Sequence, residues 1–227
     1  MEGEGLMGFG REVFATEDYP RAAAAHIADA FPGGGSLVLT GGDTAASVYP
    51  YLDAAKPDWT SVEVAFSDER CVTPEDIASN YGMAKRLLLD AAAPGHVHRI
   101  KGELEPDKAA ADYEGDIRSL VTRGFDLVLL GMGADAHICA LFPGSPALEA
   151  PGLAAVVDRP DGMQGITLTP SALLSAKRIL LLVTGASKAD AVQRALEGDD
   201  PADTCPVRLL ADHPDVTFLL DTEADSY

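Results

Sequence analysis

The stretch FDLVLLGMGADAHICALFPG, residues 125–144, decides the fold class and carries the strongest candidate for chemistry. Its first six residues, FDLVLL, are apolar except for Asp126 and are typical of a strand buried on both faces of a parallel sheet. The turn Gly131-Met132-Gly133 follows directly, and Asp135 and His137 come next. Ligands of open α/β sheets bind beyond the carboxyl ends of the strands. We therefore expect a functional site at this turn.

Outward from this stretch, short apolar runs alternate with segments of helical period. We predict strands at 36–40, 61–66, 125–130, 166–169, 178–184 and 216–220, and helices at 44–55, 79–92, 106–121 and 187–196. Strands that alternate with helices predict a three-layer α/β/α sandwich with a mostly parallel sheet. A length of 227 residues suits one well-buried domain over 1–227.

The charge balance narrows the possible partners. The chain has 36 Asp and Glu against 17 Lys and Arg, a formal net charge of −19. Such a surface repels the phosphates of nucleic acid and anionic membranes, so we expect neither as a partner. A small anionic substrate remains compatible, because a site needs only a few local cations. Those cations should then lie close together.

The cysteines and apolar runs indicate a compartment. Cys71, Cys139 and Cys205 are far apart and form neither a disulfide framework nor a zinc motif, as expected of a reduced environment. The first 20 residues lack the basic start and apolar core of a signal peptide. No apolar run approaches the roughly 20 residues of a membrane-spanning helix. We predict a cytoplasmic protein.

Two further strand exits carry residues suited to an anion. Gly41 and Gly42 follow the first predicted strand and allow the backbone to approach a ligand, while Thr44 adds a hydroxyl at a helix start. Asp43, in the same turn, is a good helix cap, but its carboxylate repels phosphate unless it points away. A turn of this kind also occurs for purely steric reasons.

Cations follow two other strands. Ser67-Asp68-Glu69-Arg70 comes directly after a strand, where Arg70 can grip a phosphate or carboxylate through its planar fork, or can belong to a surface ion-pair cluster. Lys188 lies in the first turn of the last predicted helix, after another strand. A cation there opposes the helix dipole, which favours a functional reason for it.

The pair Asp135 and His137 is the best catalytic candidate. An imidazole with a pKa near neutrality can take a proton from water, and a neighbouring carboxylate can fix its tautomer. His26, His96, His98 and His213 lack such a position at a strand exit, and we interpret them as incidental.

The motifs taken together resemble a known family. LTGGDTAASVY (39–49), FSDERCV (66–72) with Ser79-Asn80, the stretch 125–144, ITLTPSALLSAKRILLLVTGASKADAV (166–192) and Cys205-Pro206 occur in the order found in the glucosamine-6-phosphate isomerase/6-phosphogluconolactonase superfamily. The 6-phosphogluconolactonases are the nearer branch, because deaminases continue the Asp-x-His motif into Phe-Asn-Glu-Pro. This chain has Leu-Phe-Pro-Gly at 141–144.

The resemblance implies a NagB-like fold and the hydrolysis of 6-phospho-D-glucono-1,5-lactone to 6-phosphogluconate in the oxidative pentose phosphate pathway. It implies that His137 activates water, that Asp135 orients His137, and that Arg70 supplies positive charge for catalysis. The substrate and its phosphate would be held by Gly41, Gly42, Thr44, Asp68 and Lys188. Neither a metal nor an organic cofactor is expected, and monomer and homodimer both remain open.

The chain departs from the family pattern at several motif positions. Ala136 replaces the glycine of Asp-Gly-His, Ala140 replaces a serine, Gly165 replaces an arginine, and Cys205 replaces a histidine. Asp43 replaces a small or neutral residue. The arginine missing at 165 removes one expected anion ligand. These departures leave open an amino-sugar phosphate deaminase or isomerase, and a phosphosugar-binding module of little or no activity.

Overall fold

The computed structural model describes residues 9–31, 33–55 and 58–227. The main sheet has seven strands: β1 (Gly10–Phe14), β2 (Gly35–Leu39), β3 (Val62–Phe66), β5 (His96–Val97), β6 (Leu127–Gly131), β9 (Ile179–Val183) and β10 (Val216–Asp221). Their order is β1-β10-β9-β6-β2-β3-β5, with every neighbouring pair parallel. The first eight residues of the segment on which the signal-peptide prediction rests lie outside the described residues.

Helices cover the central strands on both faces. Leu127, Val128, Leu129 and Leu130 are all buried although successive side chains of a strand point to opposite faces. The helices are α1 (Tyr19–Ala30), α2 (Asp43–Ala55), α3 (Asn80–Ala84), α4 (Asp90–Ala92), α5 (Pro106–Arg123), α6 (Pro170–Leu173) and α7 (Ala189–Glu197). The predicted three-layer α/β/α sandwich with a mostly parallel sheet is confirmed. Within the described ranges, no helix is both long and apolar enough to cross a membrane.

A second, smaller sheet lies beside the first and was not predicted. It is antiparallel, with the order β4-β8-β7. Its strands are β4 (Asp68–Arg70), β7 (Ala154–Asp158) and β8 (Gln164–Leu168). The strand predicted at 166–169 therefore exists but belongs to this small sheet. A short apolar run shows that a segment is buried, and cannot show which sheet it joins.

Helix starts follow the local signals in the sequence. Ser79 caps α3, since its Oγ accepts a hydrogen bond from the Gly82 N–H at 2.9 Å. The segment predicted as one helix over 79–92 contains a π-helical turn at Lys85–Leu89 between α3 and α4. The helix predicted at 187–196 begins as a 3₁₀ turn at Ala186–Lys188 before α7.

Two buried tyrosines attach helices to strand ends. The Tyr49 hydroxyl on α2 donates to the Thr40 carbonyl at 2.7 Å and accepts from the Thr40 N–H at 3.0 Å. The Tyr113 hydroxyl on α5 makes the same pair of bonds with Phe66, at 2.5 and 2.9 Å. Phe66 needs this partner because β5 pairs with β3 only at Glu63 and Val64. Both tyrosines thus fix backbone where strands leave the sheet.

We expect Tyr49→Phe and Tyr113→Phe each to lower the free energy of unfolding by about 1–3 kcal/mol, because each leaves a buried N–H and C=O without a partner. Urea denaturation followed by circular dichroism measures the change. Tyr51→Phe is the matched control, since Tyr51 on α2 is 41% exposed. Equal stability of all three variants would contradict this role.

Candidate active site

A cavity of about 560 Å³ opens at the carboxyl edge of the main sheet, where β2, β3, β6 and β9 end. It is lined by every predicted site residue except Asp135: Gly41, Gly42, Thr44, Asp68, Arg70, His137 and Lys188. The structure therefore brings together residues from four separate strand exits, although their roles remain predictions.

Asp135 lies behind His137 and contacts it. Asp135 Oδ1 is 2.6 Å from His137 Nδ1, which places the proton on Nδ1 and leaves Nε2 as the basic nitrogen. Burial acts to raise the pKa of Asp135, but the charge and hydrogen bonds of His137 outweigh it, so this pKa lies below its ordinary value. A Cβ at Gly133 would overlap both side chains, so only glycine leaves room for the pair.

The turn that carries His137 is strained. Ala136 and Cys139 have φ of 66° and 53°, in the left-handed region that costs a non-glycine residue roughly 1–2 kcal/mol. Position 136 is where the family pattern has glycine, and its positive φ gives the physical reason for that glycine. The Ala136 carbonyl accepts from the Val207 N–H at 3.0 Å, which holds the turn in place.

Cys139 reaches the cavity but is a poor nucleophile. Its side chain lines the cavity, and burial raises the pKa of its thiol well above the ordinary value. The neutral thiol attacks carbonyl carbon much more slowly than a thiolate does. The basic group available for chemistry in this turn is therefore His137.

Arg70 is positioned by Asn80. Arg70 Nη1 donates to the Ala78 carbonyl at 3.0 Å and to Asn80 Oδ1. Asn80 Nδ2 in turn donates to the backbone and the carboxylate of Asp68, at 2.9 and 3.2 Å. Since Asp68 is buried and also accepts from Ser67 Oγ at 2.8 Å, these side chains form a fixed polar network along one wall.

Glu69 supports this network through hydrogen bonds to the residues at the start of α3. Its buried carboxylate accepts from the N–H groups of Asn80 and Tyr81 at 2.7 and 2.8 Å, and from Ser79 Oγ at 2.9 Å. A further bond comes from the Arg70 N–H at 2.9 Å. Burial raises the pKa of Glu69, and these hydrogen bonds oppose the rise. Glu69 thus attaches the start of α3 to β4.

Arg159 lines the cavity although no motif in the sequence points to it. Its side chain is 9% exposed, lines the cavity, and lies over the Phe142 ring at 5.5 Å. Arg159 Nη1 lies 3.8 Å from the Asp68 carboxylate, and Nε lies 3.1 Å from Asp161. A Cβ at Gly165 would stand 3.2 Å from Arg159 Cδ. Arg159 therefore occupies space beside the position at which the family pattern has an arginine.

The cavity also holds cations without a carboxylate partner. Of the 16 arginines and lysines among the described residues, ten have a carboxylate oxygen within 4.0 Å, and Arg70 and Lys188 are among the six that have none. Lys188 lies beside the glycine turn that follows β2. A hydrogen bond of 2.7 Å between Thr44 Oγ1 and Thr184 Oγ1 joins this turn to the residue that follows β9. Free positive charge in so acidic a chain favours an anionic ligand.

Comparison with known proteins places this cavity in a family. Residues 15–218 match the family model described as Glucosamine-6-phosphate isomerases/6-phosphogluconolactonase. The chain belongs to this family. The 6-phosphogluconolactonase of Mycobacterium tuberculosis is 33% identical over 94% of this chain and 96% of that protein.

Solved structures of the family have the same fold. The crystal structure of a 6-phosphogluconolactonase from Shewanella baltica matches with a TM-score of 0.84 and 27% identity, over 94% of this chain and 97% of that one. A monomeric glucosamine-6-phosphate deaminase matches with the same TM-score, 0.84, at 24% identity, over 96% of this chain and 99% of that one. The fold is common to both branches, so it does not separate the two activities.

Most departures from the family pattern lie outside the cavity wall. Only Asp43 of the five lines it, while Ala136, Ala140 and Cys205 are buried behind it. Cavity residues that the sequence did not single out include Asn80, Arg159, Thr184 and Ser187. Asn80, Thr184 and Ser187 stand inside quoted family motifs, and that position was the available signal. Arg159 has no local signal, because its approach to the cavity depends on the β7–β8 hairpin.

We expect Glu69→Gln to destabilise this family member by roughly 2–4 kcal/mol, because the amide group cannot accept from all four donors and leaves buried N–H groups unpaired. Chemical denaturation measures the loss. The control is Glu75→Gln, an exposed position a few residues along. A loss of stability no larger than that of the control would contradict the role of Glu69 in attaching α3 to β4.

Proposed function

We propose that this chain hydrolyses 6-phospho-D-glucono-1,5-lactone to 6-phosphogluconate, the lactone-opening step of the oxidative pentose phosphate pathway. One observation carries the proposal: a carboxylate-oriented imidazole and two cations without carboxylate partners line the same cavity. A base and free positive charge are what the attack of water on a phosphorylated ester requires. The named relatives support the same substrate.

His137 acts as the general base. Its Nε2 takes a proton from water while the water oxygen attacks the lactone carbonyl carbon. The tetrahedral intermediate then collapses, the bond from this carbon to the ring oxygen breaks, and the ring oxygen receives the proton from His137. Asp135 stabilises the imidazolium that exists between the two steps. Arg70 faces the developing oxyanion, which lowers the barrier through fixed positive charge.

The phosphate supplies orientation from the other end of the cavity. Lys188 and the turn of Gly41, Gly42 and Thr44 bind it through positive charge, N–H groups and a hydroxyl. This remote contact holds the carbonyl at a set distance from the attacking water. Asp68 also lines the cavity, where its carboxylate contacts Asn80 and Arg159. Its role is to position those two side chains for the substrate.

Arg159 supplies positive charge that the family pattern assigns to position 165. Its guanidinium and the His137 ring contact the same aromatic side chain, Phe142, at centroid distances of 5.5 and 4.5 Å. This shared contact supports a role for Arg159 beside His137, at the reacting end of the substrate. The substitution at Gly165 is thus compatible with a fully equipped site, and the chain needs no loss of activity to explain it.

The rival deaminase activity has less support. Residues 141–144 read Leu-Phe-Pro-Gly, where deaminases have Phe-Asn-Glu-Pro, so the acidic side chain of that motif is absent at this position. The lactone and glucosamine 6-phosphate separate the two activities directly. We expect acid release from freshly made lactone in a pH-stat, above its spontaneous hydrolysis, and no ammonia release from the amino sugar.

In the same assay, His137→Ala should lower kcat by about 10²–10⁴-fold, the usual contribution of a general base. Binding of 6-phosphogluconate, measured by calorimetry, should change little, because the phosphate contacts remain. His26→Ala, on α1, is the control and should keep normal turnover. Normal turnover in His137→Ala would remove His137 from the mechanism.

Arg159→Gln should lower kcat/KM for the lactone at least 10-fold, because a charged hydrogen bond to the developing oxyanion contributes about 1.5–3 kcal/mol. Arg159→Lys should recover part of the loss, since it restores charge without the planar fork. Thermal melting of both variants checks that the small sheet remains folded. An unchanged kcat/KM in folded Arg159→Gln would show that the guanidinium does not reach the reacting group.

A further inference from the structure

A second cavity, of about 750 Å³, lies beside β5, an edge strand of the main sheet. Its walls come from β5 and from α5, and they include His96 and Asp116. His98, two residues after His96, is buried next to them. The lactonase mechanism uses none of these three residues.

The three side chains are grouped as metal ligands are. One ligand atom from each of His96, His98 and Asp116 lies within 4.8 Å of the other two. His98 Nδ1 is 3.0 Å from Asp116 Oδ2, and the two imidazole rings lie 4.3 Å apart. Bonds of about 2.0–2.2 Å to zinc bring tetrahedral ligands to roughly 3.5 Å from one another. His96 and Asp116 are exposed, so small rotations can close that gap.

His98 presents a buried nitrogen with an unmet bonding capacity. The residue is 6% exposed, and among the described residues its Nδ1 has no hydrogen-bond partner. Asp116 is near this nitrogen, but at an angle that makes no hydrogen bond. A buried polar atom without a partner is costly, and a metal ion would satisfy it.

The outer contacts of His98 also suit a metal ligand. Its other ring nitrogen, Nε2, lies 3.4 Å from the Glu63 carboxylate, whose second oxygen accepts from Arg123 at 2.9 Å. A carboxylate on the far nitrogen of a ligating histidine fixes the tautomer and raises the basicity of the ligand. With the proton on Nε2, the lone pair of Nδ1 is available.

The cations around this cavity do not oppose a metal. Lys101 is paired with Asp112 at 2.8 Å, and Arg99 is paired with Glu103. Each positive charge that lines the wall is therefore balanced by its own carboxylate. Asp116 remains to balance part of the charge of a divalent ion.

We propose that His96, His98 and Asp116 bind a first-row divalent metal ion, with Zn²⁺ as the best match to two imidazoles and one carboxylate. Water from the cavity completes the coordination. The ion joins a two-residue edge strand to the longest helix, so it stabilises the fold at this edge and takes no part in lactone chemistry. A metal ion that binds the folded state and not the unfolded chain raises the melting temperature.

The test is calorimetric titration of the full chain with ZnCl₂ after chelator treatment, combined with thermal melting. The wild type should bind one ion here and melt at a higher temperature when zinc is present. His96→Ala and Asp116→Asn, both at exposed positions, should weaken binding by more than about 100-fold, beyond the 10–100-fold typical of lost outer contacts. Both should also lose the rise in melting temperature.

Two controls separate this site from other histidine–carboxylate pairs. His26→Gln removes a histidine that lies 3.1 Å from Glu12, and it should leave zinc binding unchanged. His137→Ala should likewise retain the ion. Loss of binding in His137→Ala alone would move the ion to the active site and overturn the proposal. Equal binding by wild type and His96→Ala would show that the ion is not held by these three residues, and would overturn the proposal.

Discussion

Parallel pairing of β3, β2, β6 and β9 brings four strand ends to one edge of the sheet, and the whole site depends on that arrangement. Each exit contributes a different group: Arg70 after β3, the glycine turn after β2, His137 after β6 and Lys188 after β9. None of these residues is near the others in sequence. Backbone hydrogen bonds between strands therefore determine the distances between His137, Arg70, Lys188 and the glycine turn.

The strand ends would be loose without help from the helices. Tyr49 and Tyr113 bond to the backbone at Thr40 and Phe66, and Glu69 fastens the start of α3 under Arg70. These polar bonds are buried, where they are strong and where breaking them is costly. Rigid backbone on both sides of the cavity allows a small site to hold a reactive geometry without a cofactor in the proposed step.

The electrostatics of the site depend on local exceptions to a strongly negative chain. Most of the described arginines and lysines are neutralised by a carboxylate, while Arg70 and Lys188 are not. The turn at Ala136 is also energetically unfavourable, because its positive φ costs backbone energy while it places His137 at the cavity. Both features favour ligand binding and chemistry over stability.

The sequence alone determined the layer architecture, most strand positions and the Asp135–His137 pair, because these depend on hydrophobic period, glycine turns and local spacing. Tertiary structure decided the rest. The small antiparallel sheet, the entry of Arg159 beside Gly165, and the meeting of His98 with Asp116 all join residues from separate elements. No periodicity encodes such contacts, since they arise only when the sheet edges and helices pack. His96 and His98 appear incidental along the chain for that reason, and acquire neighbours only in the folded protein.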